Sequence, residues 1–238
     1  QFAIELLQEY FEVECFWDDS WQNGLVAHSL VSALSKFEPD VIVFFQVLWS
    51  PRLLKRLGIH SAVFIPMYDG CHRMSVRDWR RYESYPFLSF SSTLARKLEL
   101  AGLQTLAATY FPDVVGKVRK TSIANKGLAV FFWYRTPKVS WKIVEKLASS
   151  SQWSEIYLHN APDPGAPTIS LDEVEGGGLP VEVGTWFDDR EQFAEKVGAS
   201  DVFFAPRLLE GIGMGFLEAM SLGCCVVAPD LPTHNEYI

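Results

Sequence analysis

Short apolar runs alternate with amphipathic segments along most of the chain. Residues 41–45 (Val-Ile-Val-Phe-Phe) and 61–65 (Ser-Ala-Val-Phe-Ile) are two of these runs. Unbroken runs of this length are typical of strands buried on both faces, and amphipathic helices between them allow consecutive strands to run parallel. The sequence therefore predicts an α/β fold with parallel sheets.

Hydrophobic periodicity and capping residues locate the individual elements. The predicted strands are 11–16, 41–45, 61–65, 87–90, 128–133, 155–159, 181–183, 202–205 and 224–228. The predicted helices are 1–10, 24–36, 50–57, 91–100, 139–149, 188–196 and 213–222. No regular element is predicted for residues 71–82, which lack clean periodicity, or for the Pro- and Gly-rich residues 160–178. Gly58 is expected to close a helix in the left-handed conformation.

The cycle of strands and helices restarts after a basic segment at residues 113–127. Four cations lie in this segment, which has few side chains to bury: Lys117, Arg119, Lys120 and Lys126. At about 150 residues per domain, a chain of 238 residues fits one large domain or two small ones. We predict two Rossmann-like lobes, residues 1–120 and 121–238, whose parallel sheets face a cleft. Ligands of such folds bind beyond the carboxyl ends of the strands.

Composition argues against several classes of protein. A net charge of −8 and a pI near 5.2 do not fit a nucleic-acid-binding surface, which needs clustered Lys and Arg. The apolar runs are far shorter than the roughly 20 residues that span a bilayer. The four cysteines show no CxxC pair, which favours a reducing, cytoplasmic compartment, and the five histidines share no metal-ligand spacing. We therefore expect no bound metal and no nucleic-acid partner.

Three alternate glycines open the helix predicted at residues 213–222. Gly211, Gly213 and Gly215 follow a buried strand and its loop. They remove side chains at a helix N-terminus, where backbone N–H groups have no partner within the helix. This arrangement suits a phosphate group.

Two glutamates flank the glycine-rich helix start. Glu210 comes just before it, and Glu218 lies about two turns into the helix, on the order of 10 Å away at 1.5 Å per residue. A carboxylate can accept hydrogen bonds from two vicinal hydroxyl groups. A nucleotide diphosphate sugar fits this spacing. The hydroxyls of its sugar would bind one carboxylate, its phosphates the N–H groups, and its ribose hydroxyls the other carboxylate.

This segment resembles the E-x7-E motif of retaining GT-B glycosyltransferases of the group 1 type, known as family 4. The surroundings match as well: Ser200-Asp-Val before the motif, Leu217-Glu-Ala-Met behind it and Val226-Val-Ala-Pro-Asp230 beyond. The resemblance implies transfer of a sugar from a nucleotide diphosphate sugar to an acceptor hydroxyl, with retention of the anomeric configuration. It makes Glu210 a catalytic candidate and assigns donor binding to Glu218 and to the loop residues Gly211, Gly213, Met214 and Gly215.

The resemblance extends to the strand predicted at residues 128–133 and the loop after it. There the family uses an Arg and a Lys to hold the diphosphate, and the matching residues are Arg135 and Lys138, with Val139 in place of the usual Gly. Both are counted as catalytic candidates, because they stabilise the leaving phosphate. The resemblance implies no cofactor and no metal.

In the first half of the chain, residues 39–43 and 63–69 resemble the acceptor-side strands of the family. Many members carry a His near the reaction centre where this chain has Tyr68, so Tyr68 and Asp69 are the candidates on the acceptor side. The acceptor is a glycan, a lipid or a small molecule. The expected location is the cytoplasm, with peripheral contact at the inner face of a membrane. The family's first strand and closing helices have no counterpart, so the sequence is expected to be an internal piece of a longer enzyme.

Three other functions are possible for a sequence with this pattern. A dinucleotide-dependent oxidoreductase is disfavoured, because position 216 is Phe where the G-x-G-x-x-G fingerprint requires its last glycine. A nucleotide-sugar epimerase of the same fold, and a non-catalytic fragment that binds nucleotide sugars or serves as a scaffold, remain alternatives.

Overall fold

A computed structural model describes residues 2–19, 26–112, 127–148, 153–175 and 178–238 of the protein. Residues 113–126, which make up nearly all of the predicted connector, lie outside these ranges, so the connector and the lobe boundary at residue 120 stay predictions. The chain divides into two compact units. The first is Gln1–Pro66, Arg73–Ser89 and Ala95–Leu106, and the second is Met67–His72, Phe90–Leu94 and Ala107–Ile238.

Four strands in the first half of the chain form one sheet, in the order β1-β2-β3-β4. In chain order the elements are α1 (Phe2–Gln8), α2 (His28–Phe37), β1 (Ile42–Phe45), α3 (Pro51–Arg56), β2 (Ala62–Ile65), α4 (Tyr68–Cys71), α5 (Val76–Trp79), a 3-10 helix (Arg80–Tyr82), β3 (Phe87–Ser89), α6 (Ser92–Leu100) and β4 (Thr105–Ala107). β1 pairs with β2 in parallel, with Ile42 opposite Ala62, and β2 pairs with β3 in parallel.

Aromatic side chains form the core of this first sheet. Phe64 on β2 is fully buried between Phe44 and Phe87 on the neighbouring strands, with ring centroids 4.9 and 5.5 Å apart. Leu54 of α3 and Trp79 of α5 are also fully buried. Apolar residues at the same level on adjacent parallel strands thus pack into one layer, as the unbroken apolar runs predicted.

Five strands in the second half of the chain form a parallel sheet, in the order β7-β6-β5-β8-β9. In chain order the elements are β5 (Leu128–Tyr134), α7 (Trp141–Ala148), β6 (Trp153–Asn160), α8 (Leu171–Glu175), β7 (Val181–Gly184), α9 (Arg190–Gly198), β8 (Val202–Phe204), α10 (Met214–Ser221), β9 (Cys225–Val227) and a 3-10 helix (His234–Glu236). The direction of strand succession reverses between β5 and β8, which is where α/β sheets bind their ligands.

β5 is the central strand of this sheet and is buried on both faces. Consecutive residues point to opposite faces, yet Phe131 and Phe132 are both fully buried. Phe131 stacks on Phe203 of β8 with centroids 5.5 Å apart, and Phe132 packs edge-on against Trp141 at the start of α7. The side chains of β5 are therefore apolar on both faces of the sheet, because both faces are covered.

The α/β fold with parallel sheets is confirmed, and the positive φ of +72° at Gly58 matches the predicted helix end. The strand predicted at residues 11–16 is wrong, because those residues form no regular element and have no paired strand among the described residues. β4, α5 and α8 were not predicted. α8 lies within the predicted loop 160–178, where the burial of Val174 stabilises a single turn that periodicity does not reveal.

No helix in the described ranges is long and apolar enough to cross a membrane.

Candidate functional site

Three charged residues follow three neighbouring strands of the second sheet. Arg135 comes directly after β5, Asp163 lies three residues beyond β6, and Arg207 lies three residues beyond β8. Because β6, β5 and β8 are adjacent and parallel, their carboxyl ends share one edge of the sheet. The three side chains therefore meet at the point where the strand order reverses.

Asp163 bridges the two arginines. Its Oδ1 accepts hydrogen bonds from Nε of Arg135 at 2.8 Å and from Nη2 of the same residue, while its Oδ2 accepts from Nε and Nη2 of Arg207 at 3.0 and 2.7 Å. Burial alone would raise the pKa of Asp163, but the hydrogen bonds and charges of Arg207 and Arg135 outweigh it and lower the pKa. Asp163 is therefore ionised, and it fixes the orientation of both guanidinium groups.

Glu210, which follows Arg207 by three residues, is buried, with 8% of the residue exposed. Burial raises its pKa to about 7. The positive charges of Arg207 and Arg135 act in the opposite direction, and the negative charges of Asp69 and Asp163 add to the rise. Its main-chain carbonyl accepts a hydrogen bond from Oγ1 of Thr233 at 2.9 Å. Burial therefore holds the pKa of Glu210 well above the ordinary range of a carboxyl group, and both arginines oppose this shift.

Asp69 forms an ion pair with Arg207. Tyr68 precedes Asp69 on the same short helix, α4. Nη1 of Arg207 lies 3.5 Å from Oδ2 of Asp69. The ring of Tyr68 packs 6.0 Å from that of His72, and burial, with Glu236 and Cys71 nearby, raises the pKa of Tyr68. The structure thus brings Asp69, one of the two acceptor-side candidates, to Arg207.

The glycines after Glu210 are needed for close packing. A Cβ atom on Gly211 would lie 2.8 Å from Cβ of Met67. Gly213 caps α10 with a φ of +83°, and a Cβ there would lie 1.9 Å from the ring of Phe216. At Gly215 the nearest atom would be Cζ3 of Trp133, at 3.3 Å. A side chain would therefore collide with Met67 at position 211 and with Phe216 at position 213, directly before α10 begins at Met214.

Glu218 and Lys138, two further predicted site residues, lie outside the Asp163 bridge. Glu218 is in the second turn of α10, where Oε1 accepts a hydrogen bond from Nη2 of Arg190 at 2.7 Å. Lys138 is exposed in the loop between β5 and α7 and has no ion pair or hydrogen bond within the part of the chain that the structure describes. Its ammonium group is thus available to an anion that enters from solvent.

An aromatic wall, formed by Trp133, His159, Trp186, Phe187 and Phe193, lies beside Arg135. The guanidinium of Arg135 sits 4.7 Å above the ring of Trp133, whose plane is perpendicular to that of Trp186. His159 stacks on Phe187 with centroids 4.8 Å apart, and burial lowers its pKa to about 4, so the ring is neutral. Trp186 is 63% exposed, which leaves one large aromatic surface open to a planar ligand.

The sequence does not predict a role for Arg207, and Asp163 falls within the loop predicted at residues 160–178. The one available signal was position, because each follows a predicted strand by a few residues, as Arg135 does. The pairing itself joins residues 28 and 44 positions apart, which no local pattern indicates. Across the described ranges, no group of three or more His, Cys, Asp and Glu side chains is arranged to hold a metal ion.

Residues 183–238, which contain Glu210, the glycines and Glu218, match the family described as "Glycosyl transferases group 1". No curated protein matches the chain. The match covers the end of the second unit, from β7 onwards. This segment contains Glu210 and Glu218, the two glutamates of the E-x7-E motif.

Several solved structures share the fold. An alpha,alpha-trehalose-phosphate synthase (UDP-forming) from Burkholderia xenovorans, in complex with glucose-6-phosphate, has a TM-score of 0.62 at 12% identity, covering 91% of this chain and 64% of that one. A trehalose-6-phosphate synthase studied for glycosyl transfer with retention has a TM-score of 0.59 at 12% identity, covering 87% and 63%. TarM has a TM-score of 0.54 at 10% identity, covering 84% and 44%.

The chain thus spans less than two thirds of the length of these structures. At such low identity the similarity establishes the fold, which is that of the GT-B glycosyltransferases with two parallel α/β sheets.

Proposed function

We propose that the protein is a glycosyltransferase that moves a sugar from a nucleotide diphosphate sugar to an acceptor hydroxyl with retention of the anomeric configuration. One observation carries the proposal. The buried Glu210, two oriented arginines and a glycine-capped helix start converge at the carboxyl edge of the second sheet. Residues 183–238, which include Arg207, Glu210 and this helix start, match the group 1 family. This is the edge at which an α/β sheet binds a nucleotide.

The donor diphosphate would lie between Arg135, Lys138 and the first N–H groups of α10. Asp163 binds Arg135 through Nε and Nη2, so Nη1 remains for a phosphate oxygen. The helix dipole adds a smaller favourable contribution at Gly213, Met214 and Gly215. Nothing in this arrangement requires a divalent metal.

The two glutamates of the motif would hold the two sugars of the donor. Glu210 would position the transferred sugar through its hydroxyl groups, and Glu218, oriented by Arg190, would hold the ribose. The nucleobase of the donor would lie near residues 184–190 and 206–209, where the ring of Trp186 is exposed. Gly211, which packs against Met67, would keep the turn between Glu210 and the helix tight.

The reaction would proceed by attack on the same face of the sugar. Double displacement in hydrolases uses two carboxyl groups about 5 Å apart, whereas Glu210 and Glu218 are separated by roughly 10 Å along the chain at 1.5 Å per residue. Asp163 is not free to act as a nucleophile, because both its oxygens bind arginines. The bond from the anomeric carbon to the phosphate oxygen breaks, the bond to the acceptor oxygen forms, and the acceptor proton passes to the leaving diphosphate. Arg135 and Lys138 stabilise the charge that develops there.

The acceptor would approach from α4, where Asp69 lies next to Arg207 and Tyr68 is its neighbour in the chain. A glycan, a lipid or a small molecule would provide the hydroxyl group. We place the enzyme in the cytoplasm, with peripheral contact at the inner face of a membrane for a lipid acceptor.

Incubation with radiolabelled nucleotide sugars tests this function. The expected result is transfer, or slow hydrolysis without an acceptor, with a retained anomeric configuration. Glu210→Gln should lower turnover roughly ten- to hundred-fold while sparing nucleotide affinity, and Glu218→Gln should mainly weaken nucleotide binding by a similar factor. Glu191→Gln, a change at an exposed carboxylate in the first turn of α9, is the matched control and should change neither. Isomerisation of the donor, an inverted product or full activity of Glu210→Gln would contradict the proposal.

A further inference from the structure

Thr233 has an unusual backbone conformation for a β-branched residue. It lies directly before the 3-10 helix His234–Glu236, is fully buried, and has a φ of +78° and a ψ of −52°. A side chain branched at Cβ is disfavoured at positive φ, where glycine is the usual residue. A conformation of this kind persists only where surrounding contacts determine it.

The hydroxyl group of Thr233 contacts the loop that carries Glu210. Oγ1 donates a hydrogen bond to the main-chain carbonyl of Glu210 at 2.9 Å, across 23 residues of sequence. Glycine would remove the conformational strain at this position but would also remove the donor. The hydroxyl is therefore the feature of threonine that the Glu210 loop uses.

Glu236 fixes the segment from which Thr233 reaches this loop. Its Oε1 accepts hydrogen bonds from Oγ of Ser91 at 2.9 Å and from the N–H of Thr93 at 3.1 Å, and its Oε2 accepts from the N–H of Ser92 at 2.7 Å. Oε1 also accepts from the N–H of Thr233 at 3.4 Å. Burial alone would raise the pKa of Glu236, but these hydrogen bonds outweigh it and lower the pKa.

We propose that Thr233 is a positioning residue for Glu210, held by Glu236 at the start of α6 and connected to the Glu210 main chain through its hydroxyl group. The inference rests on the proposed function, in which Glu210 contacts the transferred sugar. The carbonyl of Glu210 belongs to the peptide that leads into Gly211. The same hydrogen bond therefore fixes both the carboxylate and the turn before α10.

Three substitutions at residue 233 separate positioning from folding. Thr233→Val keeps the branched shape and the strain but removes the hydroxyl, which donates to the Glu210 carbonyl and accepts from the Glu236 N–H in the capping box. Thr233→Gly removes both of these hydrogen bonds and the strain, so the protein folds without the penalty of positive φ. Thr233→Ser keeps the donor. Thr168→Val, at an exposed loop threonine, is the matched control.

For turnover of a nucleotide sugar by the full chain, we expect kcat of the Val and Gly variants to fall about tenfold, because no hydroxyl group donates to the Glu210 carbonyl. The KM for the donor should change less than about twofold, because Arg135, Lys138 and Glu218 keep their proposed contacts with it. The Ser and Thr168→Val variants should retain the parental kcat. The Gly variant should unfold near the parental temperature, since relief of strain offsets the two lost hydrogen bonds of the hydroxyl.

Hydrogen exchange of the amides of residues 211–213, measured by mass spectrometry, provides a readout that does not depend on activity. Exchange should be faster in the Val and Gly variants and parental in the Ser variant. If the unmodified protein shows no transfer or hydrolysis, the proposed function fails, and exchange alone then decides whether Thr233 holds the Glu210 loop. Parental exchange in Thr233→Val, or parental kcat in an active protein, would overturn the inference.

Discussion

At the scale of single residues, Glu210 links the proposed chemistry to the stability of the fold. Its pKa rises from 4.5 to about 7 because it is buried. Between these values the folded protein binds a proton more tightly than the unfolded chain does. The contribution of Glu210 to the free energy of unfolding therefore falls as the pH rises through this window, by about 3 kcal/mol at 1.36 kcal/mol per pKa unit.

Glu210→Gln should remove this pH dependence, since an amide does not ionise. We expect the free energy of unfolding of the variant, minus that of the parent, to grow by about 3 kcal/mol between pH 4.5 and pH 8, measured by urea denaturation. The buried His159 and His234, whose pKa values are lowered to about 4, titrate in both proteins and cancel in the difference. A difference that stays constant with pH would contradict the burial of an ionisable Glu210.

Asp163 is the second residue whose role is testable by substitution. Asp163→Asn leaves two guanidinium groups, 23% and 26% exposed, without their shared carboxylate. We expect a loss of about 2 kcal/mol in the free energy of unfolding, between the values for surface and buried ion pairs. The pKa of Glu210 should also fall, because the charge of Asp163 contributes to its rise. Asp172→Asn, at an exposed carboxylate of α8, is the control and should leave both quantities unchanged.

At the scale of elements, the start of α10 requires glycine at position 213 for two reasons, its backbone conformation and its close contact with Phe216. Gly213 has a φ of +83°, and a Cβ atom there would lie 1.9 Å from the ring of Phe216. Gly165 has the same φ, but a Cβ there would have no neighbour within 4 Å. The pair therefore separates the cost of the backbone conformation from the cost of the clash.

Gly165→Ala should cost about 1–2 kcal/mol of unfolding free energy, the penalty of a left-handed residue. Gly213→Ala should cost more than that, because Phe216 must also move. It should also weaken nucleotide binding, since the first turn of α10 presents the phosphate-binding N–H groups. Equal destabilisation by the two substitutions in thermal unfolding would show that the contact with Phe216 is unimportant.

At the scale of the whole molecule, nucleotide binding should be independent of divalent metal. The proposed anion site uses Arg135, Lys138 and helix N–H groups, which carry their charges or dipoles without a bound ion. We expect UDP or GDP to raise the unfolding temperature of the protein equally in EDTA and in Mg²⁺, by mass action on the folded state. Binding that disappears on chelation, measured by calorimetry, would rule out this mode of phosphate recognition.

Local patterns were sufficient to predict most of the elements. The unbroken apolar sequence of β5, for example, is required because both Phe131 and Phe132 are buried, and the glycines before α10 are where the packing leaves no room for a side chain. The alternating residues 11–16 show the limit of this method. Alternation describes a strand only where a neighbouring strand supplies hydrogen bonds, and the described part of the sheet supplies none there.

By itself, therefore, the sequence determined the α/β class, most of the strands and helices, and the carboxylate and glycine spacing around Glu210. Each of these features depends on a pattern of a few consecutive residues, because periodicity and capping act over one or two turns. Only the tertiary structure decided that Arg207 shares Asp163 with Arg135, and that Thr233 holds the Glu210 main chain. These contacts join residues 23 to 44 positions apart, and the order of the strands in the sheet, rather than any local pattern, brings them together.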